Sequence, residues 1–158
     1  MVLLPHIIVG AVIGSKIDSF GLVALLAIIF HFILDQIPHW DYLTYQDAVD
    51  FKKNKKIKII LKTSIDVIAG LIVFFVCVFN HQLDFRQIML VVVGIFFSVL
   101  PDFIWGLSMI FNNKIFSKYR DFNNKINYKS QKEGRPTFLE LFTQIIVIAI
   151  ALLLLFVF

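Results

Sequence analysis

The sequence predicts an all-α protein built into a membrane: a single integral membrane domain over residues 1–158, with about five membrane helices of which the first is short. Three observations carry this. Hydrophobic residues make up 59% of the 158 positions and the mean hydropathy is +0.84, well above the usual share in globular domains. Apolar runs of helical length recur between short polar segments. Thirteen of the fifteen Lys and Arg fall in two segments, 41–62 and 112–136. Charge concentrated in loops reports topology and gives no reason to expect a nucleic-acid partner. The one cysteine, Cys77, lies in an apolar run, which excludes a disulfide framework and a cysteine-based zinc site.

Each element follows from its own residues. Met1 to Gly14 is apolar with one His; fourteen residues rise only about 21 Å as a helix, short for a span. Met1 to Pro5 carries no Lys or Arg, so a cleavable signal peptide is not expected. Ser15 to Ser19 reads as a turn, and Phe20 to Ile37 as the second apolar helix, closing a helical hairpin. Asp41 to Lys62 is a polar loop with six Lys, in which Thr44 and Asp47 fit a capping box for a short surface helix. Ile57 to Phe79 is the third apolar helix, Asn80 to Arg86 a tight polar turn, and Gln87 to Phe111 the fourth helix, with Pro101 and Asp102 inside it. Asn112 to Pro136 reads as a second basic loop. Thr137 and Glu140 form another capping box, opening the last helix, Phe138 to Phe158. The positive-inside rule puts both basic segments in the cytoplasm. The 15–19 and 80–86 turns and the C-terminus then face outward.

Polar groups gather on the small-residue faces of these helices. His6, Gly10 and Gly14 fall at four-residue steps, as do Ala27, His31 and Asp35; Asp66 and Gly70; and Gly94, Ser98, Asp102 and Gly106. Small residues let membrane helices approach closely, so these polar groups are expected to face neighbouring helices. His31 and Asp35, four apart, share one helical face. Counted from the helix ends, His31, Asp66 and Asp102 lie about 12–14 Å below the cytoplasmic surface. Pro38 ends the second helix, leaving His39 and Asp41 at the mouth. Ionisable groups in membrane runs are costly and mark function. The expectation is one interior pocket formed by His31, Asp35, Asp66 and Asp102, joined by His6 or His39. Neutral His and carboxylates without thiolates suit a divalent metal, zinc, manganese or non-haem iron.

Plainer readings exist for each group. Asp66 follows Lys62 by one turn and fits a local ion pair. His31 and Asp35 fit a helix-locking hydrogen bond. His39 and Asp41 flank Trp40, an interfacial residue type. Pro101 fits a simple kink. Two further functions use the same residues: an ion or proton carrier, and a structural membrane protein without catalysis.

Pro5-His6 followed by Gly10, then His31-x-x-x-Asp35-x-x-Pro38-His39-Trp40-Asp41, then Leu100-Pro101-Asp102 resembles the membrane-bound metal-dependent hydrolases. These are also described as LexA-regulated inner-membrane hydrolases and are loosely similar to zinc-dependent phospholipase C-like proteins. The resemblance covers about residues 5–145 through short motifs. It implies a helical protein of a prokaryotic inner membrane. The implied activity is metal-dependent hydrolysis of an amphiphilic ester or phosphoester, taken from membrane lipid at the cytoplasmic leaflet. By that resemblance His6, His31, Asp35, His39, Asp41 and Asp102 are ligand or catalytic candidates. We expect His6, His31, Asp35, Asp66 and Asp102 to hold zinc or manganese, with His39 and Asp41 moving protons. Members often carry further His late in the chain, where this sequence has Asn, as in Asp121 to Asn127.

Overall fold

The computed structural model describes residues 3–40, 56–110, 113–128 and 137–157. Among them are six α-helices: α1 (Leu3–Lys16), α2 (Phe20–Gln36), α3 (Lys56–His81), α4 (Phe85–Ile110), α5 (Lys114–Ile126) and α6 (Phe138–Phe156). No strand occurs among the described residues. Asp41 and the expected surface helix after Thr44 lie outside them.

The expectation of about five membrane helices is corrected by this arrangement. Among the described residues, three helical stretches are long and apolar enough to cross a bilayer: Thr63–His81, Phe85–Ser108 and Phe138–Phe156. The α1 and α2 helices have 14 and 17 residues. At 1.5 Å per residue they rise about 21 and 25 Å, short of a hydrocarbon core of roughly 30 Å. The sequence marks α1 as short but still counts it and α2 among the membrane helices; both fall below the length of a full span. The sixth helix, α5, falls where the sequence reads as a loop. Its start is fixed by Asn113, whose side chain accepts the backbone N–H groups of Ile115 and Phe116, two donors that a helix start leaves without an internal partner.

The shortest helix of the hairpin is the centre of the bundle. Along α1, Pro5, His6, Ile7, Ile8, Gly10, Ala11, Ile13 and Gly14 are all buried, and α1 packs against α2, α3, α4 and α6. Its closest neighbour is α4. A Cβ placed on Gly10 would run into the backbone of Gly94, and one on Gly94 into the carbonyl of Gly10; one on Gly14 would strike Leu90 and Val91. Bare glycine backbones are what bring these two helices into contact.

The two ends of the bundle differ. Towards the α1–α2 turn the interior is apolar: Ala11, Cys77, Val91 and Leu155 form one cluster, and Ile13, Val23 and Leu90 another. An exposed ion pair closes this end, Arg86 to Asp18 at 2.7 Å. At the opposite end the buried residues are polar: His6, His31, Asp35, His39, Ser98 and Glu140. The capping box at Thr137 and Glu140 forms as the sequence predicts, with both reciprocal bonds present. Outward, Phe79, Phe85, Phe138 and Ile145 are more than half exposed. A water-soluble domain would bury such residues; in a bilayer they meet lipid.

Candidate metal centre

Three helices supply the site, and each does so through a face visible in its sequence. His6 comes from α1, His31 and Asp35 from one face of α2, and Asp102 from α4 just past Pro101. The Gly10–Gly94 contact draws α1 and α4 together one turn from His6 and about two turns from Asp102, which is why side chains distant in sequence converge.

Both imidazoles aim their Nε2 atoms into the same space. His6 Nε2 lies 3.3 Å from Asp35 Oδ1 and 4.0 Å from Asp102 Oδ2. His31 Nε2 lies 3.2 Å from Asp35 Oδ2 and 3.9 Å from Asp102 Oδ1. The rings pack with centroids 4.3 Å apart. His6, His31 and Asp35 have no accessible surface, whereas the Asp102 side chain is 24% exposed, so the cluster opens on the Asp102 side.

The orientation of His31 is set from behind. Its Nδ1 lies 2.8 Å from the carbonyl oxygen of Ser98. A carbonyl can only accept, so Nδ1 carries a proton and Nε2 is the nitrogen turned into the cluster, the one a metal would take. Ser98 also donates its hydroxyl to the carbonyl of His6 at 2.8 Å, joining α1, α2 and α4 through one residue. Neither His6 Nε2 nor His31 Nε2 has a hydrogen-bond partner, although carboxylate oxygens lie just over 3 Å from each. Two buried nitrogens facing two carboxylates without hydrogen-bond geometry is a donor set that a cation satisfies. One donor atom each from His6, His31 and Asp102 fall within 4.8 Å of one another, compatible with a shared metal ion.

A second layer comes from α5, which the sequence reading took for loop. Asn127 donates its side-chain N–H to Asp35 Oδ2 at 3.3 Å, and the backbone N–H of Tyr128 donates to the carbonyl of Asp35 at 2.7 Å. Tyr119 donates its hydroxyl to the carbonyl of Pro101 at 2.8 Å. Burial pushes the Tyr119 phenol up to about 12, so it remains a donor at any working pH. The signal was present: Ile115, Phe116, Tyr119, Phe122 and Ile126 repeat with helical period, behind an Asn start signal.

The remaining expected residues are placed differently. Asp66 accepts the backbone N–H of Leu3 at 2.9 Å, satisfying a donor at the start of α1. His39 is 2% exposed. Its Nδ1 lies 2.8 Å from the carbonyl of Ile37, and its ring is 5.9 Å from that of Tyr128. The flanking backbone is gripped by α6: Thr143 donates to the carbonyl of Pro38 and Gln144 to that of Trp40. Burial holds the His39 imidazole down at about 4.

Fold and site together define a membrane-spanning helical bundle enclosing a buried His/His/Asp cluster able to coordinate a divalent metal. No protein-family model, no curated protein and no solved structure matches the chain. The resemblance to membrane-bound metal-dependent hydrolases therefore rests on its short motifs and does not extend to a shown family.

Proposed function

We propose that this single integral membrane domain is a metal-dependent hydrolase acting on an amphiphilic ester or phosphoester. The observation that carries the reading is the pair of buried Nε2 atoms, on His6 and His31, that face Asp35 and Asp102 without a hydrogen bond. His6, His31 and Asp102 would hold the ion, zinc or manganese. When bound it would supply Lewis-acid chemistry that makes water a nucleophile at neutral pH. Asp35, in contact with both imidazoles, orients them and accepts the proton. In this reading His39, neutral above its lowered pKa, and Asp41 relay that proton towards solvent. Asp66 fixes the first turn of α1 and through it His6.

The substrate class follows from the surroundings. On α5, Ile115 is 78% and Phe122 51% exposed, on a helix that also carries Lys114, Lys118, Arg120 and Lys125. That pairing suits an anionic membrane surface. An apolar cavity of about 440 Å³ between α1, α3 and α4, lined by Ile7, Gly70, Phe74 and Phe103 among others, suits an acyl chain. The basic segments are assigned to the cytoplasmic face of a prokaryotic inner membrane.

The test is metal-reconstituted full-length protein assayed on phosphoester and acyl-ester lipids. Turnover that falls at least about 100-fold in both Asp35→Asn and Asp102→Asn is expected. No turnover, or turnover unchanged in both variants, removes the hydrolase reading. Ion flux in liposomes without product would put a carrier in its place.

A further inference from the structure

One face of α5 lies across the metal cluster. Tyr119, Asn123 and Asn127 follow at four-residue steps and so line one side of the helix. Both ends of this row are anchored at the site: Tyr119 on the carbonyl of Pro101, next to Asp102, and Asn127 on the carboxylate of Asp35. Asn123 lies between these anchors in the row, on the same face of the helix. It is 3% exposed, and its Oδ1 has no hydrogen-bond partner. Asn127 Oδ1 is likewise buried without a partner. The orientation of the Asn127 amide is fixed, because a carboxylate takes only the NH₂ side. Its oxygen is therefore turned elsewhere.

A buried amide oxygen without a donor costs free energy unless something electropositive reaches it. We propose that Asn123 is an oxygen ligand of the cation held by His6, His31 and Asp102, with Asn127 holding Asp35 in place beside it. The inference rests on the metal reading and deepens it. A mixed set of two imidazoles, carboxylate and amide oxygen favours a six-coordinate ion such as manganese more than a set of four tetrahedral donors would. Zinc still binds more tightly in absolute terms, as the order of divalent affinities requires. The prediction therefore concerns the ratio of the two.

The experiment measures manganese(II) and zinc(II) dissociation constants by calorimetry on full-length protein in nanodiscs, for wild type, Asn123→Leu and Asn123→Asp. Expected is a loss of about 10-fold or more in manganese affinity for Asn123→Leu, with zinc changed less than about 3-fold. The metal-free melting temperature should be equal or higher, because an unsatisfied buried oxygen is gone. Asn123→Asp restores the oxygen and should bind manganese at least as tightly as wild type. Manganese and zinc weakened equally, or neither weakened, in Asn123→Leu overturns the ligand role while leaving the metal site standing. Should Asn123→Leu fail to fold, weaker manganese binding in Asn123→Asp overturns it. A wild type that binds neither ion overturns both this inference and the hydrolase reading.

Discussion

The backbone oxygen of Ser98 decides which nitrogen of His31 is free. The bond between them, 2.8 Å long, crosses from α2 to α4 and places a proton on Nδ1, so that Nε2 is the nitrogen whose lone pair a metal would take. Replacing His31 by Gln keeps a polar side chain but no such lone pair at that point. We expect His31→Gln to weaken divalent-metal binding by at least about 10-fold, read by metal analysis of purified protein and by calorimetry. Metal content equal to wild type would show that the imidazole is only packing.

Removing the ion should cost stability. A ligand that binds only the folded state adds about 2.7 kcal/mol at a free concentration 100 times its Kd. Adding zinc or manganese to chelator-treated protein should raise the melting temperature in wild type. The same addition to Asp102→Asn should raise it less. Equal shifts in the two would place the ion elsewhere.

The seam between α1 and α4 leaves no space at Gly10 and Gly94. Gly94→Val puts a branched side chain against a carbonyl and should destabilise the bundle by about 1–3 kcal/mol or more. Gly106, around which there is open space, is the control: Gly106→Ala should be neutral or slightly stabilising, since alanine is the better helix former. Unfolding in mixed detergent separates the two, and similar losses at both positions would contradict the seam.

The buried His39 sets a pH dependence whose sign is fixed. Its imidazole is held at about 4 in the fold, against 6.5 for the free side chain. Above 6.5 both states are neutral there, and it contributes no slope. As pH falls from 6.5 towards 4 the unfolded chain takes up a proton that the folded chain refuses, so stability declines. The contacts around this segment are the Tyr128 ring and the Thr143 and Gln144 side chains, and Asp35 and His6 act on it electrostatically. His39→Gln should flatten the slope of melting temperature between pH 6.5 and 4. An unchanged slope would assign the loss to other groups.

Local spacing was enough to find the heart of the site. His31 and Asp35 meet because four residues make about one turn, and Asp102 was marked by the proline before it. Gly10 and Gly94 stood out as small residues in step with polar ones. Other features had no local trace. The Ser98 carbonyl belongs to the backbone, which every residue shares, and the bond from Leu3 to Asp66 joins residues 63 apart. The α5 helix did leave a periodic trace, but the seven basic residues between 112 and 136 outweighed it. The apolar composition of α1 and α2 reads as membrane helix, with α1 already short for a span; at 14 and 17 residues neither has the length of the three long apolar helices.

The shortness of α2 reaches beyond the protein. Leu22, Leu25, Ile29, Phe30 and Ile33 are exposed along it, an apolar wall about 25 Å tall at 1.5 Å per residue. Set in a bilayer, such a short wall would make neighbouring lipid tails shorten to match it, at a cost of fractions of a kcal/mol for each Å of mismatch. For the hydrolase proposed above, acyl length in the surrounding membrane would then govern how readily an ester linkage reaches the Asp102 side of the cluster.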